Sequence, residues 1–197
     1  MERNFFVKTH GLGNEYIILD SSNIDFTLTP QAIRRLCNIH FGIGSDGIVM
    51  KVPSKKADFG FRVYNPDGSE AEKSGNGLRI FCKYIYDYGF AKSRQFSVET
   101  LTDIVYAEVI EVANNKASML RIDMGKAKFA SKDIPVNSAL PEFIGQKIQA
   151  GDREFEVSCV SVGNPHCVII TDELDEKLVR QYGPLIENHP LFPNRIN

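Results

Sequence analysis

One segment of this chain reads as an interior helix and constrains everything around it. After Ser74-Gly75-Asn76-Gly77, the residues Leu78, Phe81, Cys82 and Ile85 fall at i, i+3, i+4 and i+7, the spacing of a single helical face. Tyr84 and Tyr88 widen that face, which predicts a largely buried helix, and Gly89 suits the left-handed position that closes one. The chain has 197 residues, 43% of them apolar. That is enough for one large domain or two small ones, and length alone does not choose between them.

The flanking segments read mostly as strands. Phe5 to Lys8 and Tyr16 to Leu19 flank a glycine-bearing loop, His10-Gly11-Leu12-Gly13-Asn14. Thr29-Pro30 predicts the start of a helix, with Thr29 as N-cap and Pro30 at its first position. Its apolar spacing continues through Ile33, Leu36 and Cys37 to His40-Phe41. Phe59 to Tyr64 reads as a strand ended by the turn Asn65-Pro66-Asp67-Gly68. From Gln95 to Met124 the pattern is β, broken at Leu101-Thr102-Asp103 and Asn114-Asn115, and Met124-Gly125 is the predicted boundary between two lobes, 1–124 and 125–197. Beyond it, Phe155 to Cys159 and Val168 to Ile170 read as strands around Gly163-Asn164-Pro165-His166, and Asp175 to Tyr182 reads as a helix.

Composition removes several classes of function. A net charge of −2 with dispersed Lys and Arg gives no electrostatic case for nucleic acid. The N-terminus turns polar too early for a secretory signal, and no apolar run approaches the roughly 18 residues of a membrane span, so a cytoplasmic protein is expected. Cys37, Cys82, Cys159 and Cys167 form no CxxC pair and read as free thiols. His166 and Cys167 are adjacent, their side chains diverge, and no metal site is expected.

Two segments suit chemistry. Ser74-Gly75-Asn76-Gly77 stands directly before the interior helix, where backbone N–H groups lack intrahelical partners and the helix dipole favours an anion. The plainer reading is that Ser74 caps its own helix. The spacing matches neither the phosphate-loop motif nor the dinucleotide fingerprint. His166, directly after an Asn-Pro turn, is placed to face a cleft, although a lone histidine in such a loop also serves purely structural ends. Asn14, Asn65 and Asn197 add amides in Gly- or Pro-bearing segments, and such amides, with donors and acceptors both, suit a zwitterionic amino acid.

His10-Gly11-Leu12-Gly13-Asn14, Asn65-Pro66-Asp67-Gly68-Ser69-Glu70, Gly75-Asn76-Gly77-Leu78-Arg79 and Gly163-Asn164-Pro165-His166 resemble, in order and spacing, the signatures of the diaminopimelate epimerases. The resemblance implies an α+β fold of two pseudo-symmetric lobes, each a β-barrel-like sheet around a central helix. It implies cofactor-free amino-acid racemisation or epimerisation by two cysteines, without pyridoxal phosphate or metal, in lysine biosynthesis. A small amino-acid substrate is the expected partner, and a homodimer is left open. By the same resemblance Asn14, Asn65, Asn164 and Asn197 would hold substrate, Gly75 and Asn76 would bind its carboxylate, and His166 would tune the base at position 74.

Three departures from the family pattern accompany these matches. The first-lobe cysteine position is Ser74, a poor base unless a neighbour takes its proton, with His166 the obvious candidate. Gly47 stands where a glutamine is usual. The chain stops at Asn197, before a Glu-Arg pair and the second cysteine, so an incomplete second lobe and impaired catalysis are expected. The alternatives are a racemase or isomerase of another amino acid and a binding homologue without catalysis.

Overall fold

The structure, a computed structural model, describes residues 2–172 and 175–197. The chain forms two compact units, Met1–Met124 and Gly125–Asn197. Strands and helices are mixed along the chain, and the fold is α+β.

The first unit is built on an eight-stranded mixed sheet. Strands β1 (Val7–Gly11) and β2 (Asn14–Asp20) make a hairpin whose two turn residues, Leu12 and Gly13, have φ of 56° and 88°. Positive φ at both positions is the type I′ geometry that matches strand twist. The loop expected from His10 to Asn14 therefore shrinks to two residues, because the strands stay paired as far as Gly11 with Asn14.

Helix α1 (Pro30–Cys37) follows, capped by the Thr29 hydroxyl, which accepts the Ala32 N–H at 3.1 Å. It stops at Cys37, earlier than the apolar spacing predicts. Asn38 Oδ1 accepts the N–H groups of His40 and Phe41 at 2.9 and 2.8 Å, folding a turn that leaves Phe41 86% exposed.

Strand β3 (Ile48–Val52) then pairs parallel with β2, and β4 (Phe59–Tyr64) pairs antiparallel with β3. A short strand, β5 (Glu70–Ala71), leads into helix α2 (Gly75–Asp87). Strand β6 (Gln95–Glu99) runs parallel to β4, and the β7 (Ile104–Ala113) and β8 (Lys116–Asp123) hairpin completes the sheet.

Helix α2 packs against β8, β1, β2, β3 and β4. Leu78, Phe81, Cys82 and Ile85 are fully buried there. Tyr84 is buried as well, whereas Tyr88, at the helix end, remains 45% exposed. The end is a Schellman closure, with Gly89 N–H on Tyr86 O and Phe90 N–H on Ile85 O. Helix α1 covers the opposite face of β2 and β3 through Ile17, Leu19, Ile33, Cys37 and Ile48. With both faces covered, the run Tyr16 to Leu19 is apolar without alternation, as strands buried on two sides are.

The second unit has a three-stranded antiparallel sheet in the order β11 (Pro165–Val168), β10 (Arg153–Ser161), β9 (Gln146–Ala150). A 3-10 turn at Ser131–Asp133 precedes it and helix α3 (Glu176–Glu187) follows. Its core gathers Ile134, Phe143, Ile148, Val157, Cys159, Tyr182, Ile186 and Phe192.

Two sequence expectations change here. His166 lies within strand β11 rather than in a loop. Helix α3 continues past Tyr182, through Gly183 and Pro184, as far as Glu187. Among the described residues no helix is long and apolar enough to cross a membrane.

Candidate functional site

In the first unit Asn14, Ser74, Gly75 and Asn76 gather at the start of α2. Ser74 has the extended backbone of an N-cap, φ −135° and ψ 118°, and its hydroxyl accepts the Gly77 N–H at 3.0 Å. A cap of this kind stabilises its helix by about 1 kcal/mol. The same hydroxyl lies 3.2 Å from the Tyr16 hydroxyl. Among the described residues these are the hydrogen-bonding partners of the Ser74 side chain, and neither can take its proton as a base would.

The N–H groups of Gly75 and Asn76 have no acceptor among the described residues, as expected of a helix's first turn. Their amides and the helix dipole leave a small region of positive potential beside Ser74. Asn76 Nδ2 donates to Asn14 Oδ1 at 3.3 Å, and Asn14 Nδ2 donates to Asp46 Oδ2 at 3.0 Å. Arg79 donates to the remaining Asn76 oxygen. The β1–β2 hairpin, the approach to β3 and the first turn of α2 are thereby tied together by side chains. Asn65 is engaged elsewhere. Its Nδ2 donates to Ser69 Oγ at 3.0 Å within its own turn.

Lys73 fixes the approach to this turn from below. Its side chain is fully buried, and Nζ donates to Asp103 Oδ2 at 3.0 Å and to Met124 O at 3.2 Å. Burial opposes ionisation of Asp103. Hydrogen bonds from Thr100 and Lys73 outweigh it and hold the carboxyl below its ordinary range. Neither Tyr16, Asp46 nor Lys73 stands out in the sequence as a site residue. The available signal was Tyr16, whose hydroxyl is the polar group in an otherwise apolar run.

Gly47 has no space for a side chain. A Cβ there would sit 2.6 Å from Tyr64 O and 2.9 Å from Tyr16 Cε1, so any side chain at this position would require its surroundings to move. The tyrosine that meets Ser74 thus occupies the ground next to residue 47.

Cys82, the nearest thiol along the helix, is no substitute for a base at position 74. It is fully buried on the apolar face of α2, and burial pushes its thiol far up.

In the second unit the candidates surround Pro165. His166 Nε2 meets Asn164 Oδ1 at 3.1 Å. With a proton on Nε2 the ring donates to that amide oxygen. Asn197 Nδ2 donates to Pro165 O at 2.9 Å, and its backbone oxygen accepts the Cys167 N–H at 2.7 Å. Asn164, His166 and Asn197 are therefore held on one short stretch of β11. A cleft of about 720 Å³ opens in this unit between the sheet and α3, lined chiefly by Phe155, Ile169, Leu178, Tyr182 and Ile186, with Cys167 and Asn197 also reaching it. No cluster of His, Cys, Asp and Glu among the described residues could hold a metal ion.

The sequence profile of the diaminopimelate epimerase family matches residues 6–130. Diaminopimelate epimerase 2 of Nostoc sp. is 44% identical over 193 residues, 98% of this chain and 66% of that protein. Diaminopimelate epimerase of Acetivibrio thermocellus is 41% identical over 98% of this chain and 68% of that protein. The chain thus spans about two thirds of the length of these relatives.

Among solved structures, a hydroxyproline epimerase from Agrobacterium vitis superposes with a TM-score of 0.61 at 15% identity, over 93% of this chain and 54% of that one. Methylitaconate-delta-isomerase superposes at 0.53 with 18% identity, over 92% and 58%. The fold is shared at this distance, and identity near 40% over nearly all of the chain places it in a family of isomerases: it belongs to the diaminopimelate epimerases.

Proposed function

We propose that this chain binds diaminopimelate and belongs to the cofactor-free interconversion of its LL and meso forms, with the proton-transfer step impaired by Ser74. The observation that carries the reading is the open first turn of α2. There the acceptor-free N–H groups of Gly75 and Asn76 suit the substrate's α-carboxylate. Amides of Asn14, Asn65, Asn164 and Asn197 would hold the remaining polar groups, and His166 would tune residue 74. Lysine biosynthesis and a cytoplasmic setting follow from the same reading.

A thiol at residue 74 would serve this chemistry because its ordinary pKa of about 8.5 falls further at a helix N-terminus. A hydroxyl that caps the helix and, among the described residues, otherwise meets Tyr16 has no comparable route to its anion. This favours, as a second reading, a homologue that binds the amino acid without exchanging its α-proton.

The test is α-proton exchange in D2O, followed by NMR on diaminopimelate, with binding measured in parallel by calorimetry. Binding without measurable exchange is expected for the chain as it stands. Ser74→Cys is expected to raise exchange about 100-fold or more, the lower range of a positioned acid–base group. Equal exchange in both proteins would remove Ser74 as the impairment. Absence of binding in both would remove the substrate assignment.

A further inference from the structure

We propose that Cys159 and Cys167 are a redox-active dithiol that closes to a reversible disulfide when a peroxide enters the cleft of the second unit. The two residues stand directly opposite each other in the antiparallel register of β10 and β11. Alternate pairs in such a ladder either exchange backbone hydrogen bonds or do not. Here the Cys159 N–H donates to Phe143 O and the Cys167 N–H to Asn197 O, each at 2.7 Å and each away from the facing strand. The pair is therefore the non-hydrogen-bonded kind, whose Cα atoms approach to about 4.5 Å. That lies inside the span of about 4.4–6.8 Å that a disulfide bridges. Outward bonds from both residues hold the register, so the backbone need not shift for the sulfurs to join.

The thiols already interact. The contact between the two side chains lowers the pKa of Cys159 and, with burial, raises that of Cys167. Their access to solvent differs as a peroxidatic and a resolving thiol would need. Cys167 is half-buried and lines the cleft of about 720 Å³, whereas Cys159 is fully buried behind it. Cys37 and Cys82 are buried, and neither faces a second cysteine across a strand pair.

The chemistry balances with hydrogen peroxide as oxidant. With its proton passed to the Cys159 sulfur, the Cys167 thiolate attacks one peroxide oxygen, which stays on sulfur as a sulfenic acid, while the O–O bond breaks and the other oxygen leaves as hydroxide and is protonated to water. The Cys159 sulfur then attacks that sulfur, the S–O bond breaks, and the hydroxyl departs with the Cys159 thiol proton as a second water. Two thiols and one peroxide give one disulfide and two waters, with two electrons passing from sulfur to oxygen. The bridge would close the base of the segment carrying Asn164 and His166. The inference does not depend on the proposed reaction, since its readout is the state of the sulfurs.

Trypsin leaves both cysteines in one peptide, 154–177, because no Lys or Arg lies between Arg153 and Lys177. After treatment of the full chain with hydrogen peroxide, alkylation in denaturant and digestion, that peptide should be lighter by two hydrogens and carry no alkyl group. Dithiothreitol should restore both alkylation sites, and Cys37 and Cys82 should stay reduced throughout. In Cys159→Ser, dimedone should trap Cys167 as the sulfenic acid, and in the unaltered chain that adduct should be much weaker. Two alkylated cysteines in peptide 154–177 after peroxide sufficient to oxidise glutathione would overturn the proposal. So would a bridge to Cys37 or Cys82, or equal dimedone labelling with and without Cys159. The measurement on the unaltered chain decides the matter even if the serine variant folds poorly.

Discussion

Replacing Phe81 with alanine should lower the unfolding free energy by about 3–5 kcal/mol, the cost of truncating a fully buried aromatic side chain. Phe81 has no solvent exposure and meets Phe61 edge to face, with ring centroids 5.3 Å apart and planes at 71°. The loss combines the transfer of the ring from water with a cavity that α2 cannot collapse, because strands hold the helix on several sides. Domains are stable by only about 5–15 kcal/mol, so the variant would retain a small margin. Tyr88→Ala, on the same helix at 45% exposure, should cost far less. Urea denaturation of the three proteins gives the comparison. A loss below about 1.5 kcal/mol at Phe81 would mean that α2 is not the organising centre of the first unit.

Asp20→Asn should cost about 3 kcal/mol at neutral pH, the lower end for breaking a buried ion pair by removing one partner. The Asp20 carboxylate accepts Lys51 Nζ at 2.9 Å, the Ser22 N–H at 3.0 Å and the Ser22 hydroxyl at 2.7 Å. Burial by itself would raise its pKa. The bonds from Lys51 and Ser22 outweigh that effect, and the folded value lies below the unfolded one. The stabilisation is therefore fully present above the unfolded pKa of about 3.9 and is lost as pH falls through the folded value. The stability difference between the two proteins should be constant from neutral pH down to about 5 and should shrink below about 4. A difference as large at the acid end as at pH 7 would show that the asparagine harms packing instead. Lys51 also lies over the Phe90 ring, 4.7 Å from its centroid, so part of its environment survives the substitution.

The parts of the fold legible from the sequence were those where a local chemical signal sits at a boundary. Thr29-Pro30 opens α1 because a hydroxyl and a ring without an N–H both suit a helix's first turn. Asn65-Pro66-Asp67-Gly68 ends β4, and Gly89 ends α2, for equally local reasons.

The failures share a different cause. Pro165 can join a ladder because β11 lies at the end of its sheet and needs no N–H there, so His166 belongs to a strand where the Asn-Pro pair reads as a loop. The helix expected to end at Tyr182 continues through Pro184, because Tyr182 and Ile186, on either side of it, are both buried in the core. Within the candidate site, Ser74 and Gly75-Asn76 were visible as a helix start. The bonds from Asn76 to Asn14 and from Ser74 to Tyr16 join residues about sixty positions apart and leave no local trace.

The two parallel joints in the large sheet set a limit on how quickly it can assemble. Ile17 must find Ile48 and Phe59 must find Val98, with α1 and α2 respectively lying between the paired strands. The β1–β2 and β7–β8 hairpins need only two-residue turns and can form within microseconds. Closure of the long segments comes before the contacts that reward it, so the parallel joints carry the main entropic barrier. Loosening the Leu12-Gly13 turn should therefore chiefly accelerate unfolding, whereas truncating Ile48 or Val98 should chiefly slow refolding, a division that stopped-flow chevrons would reveal.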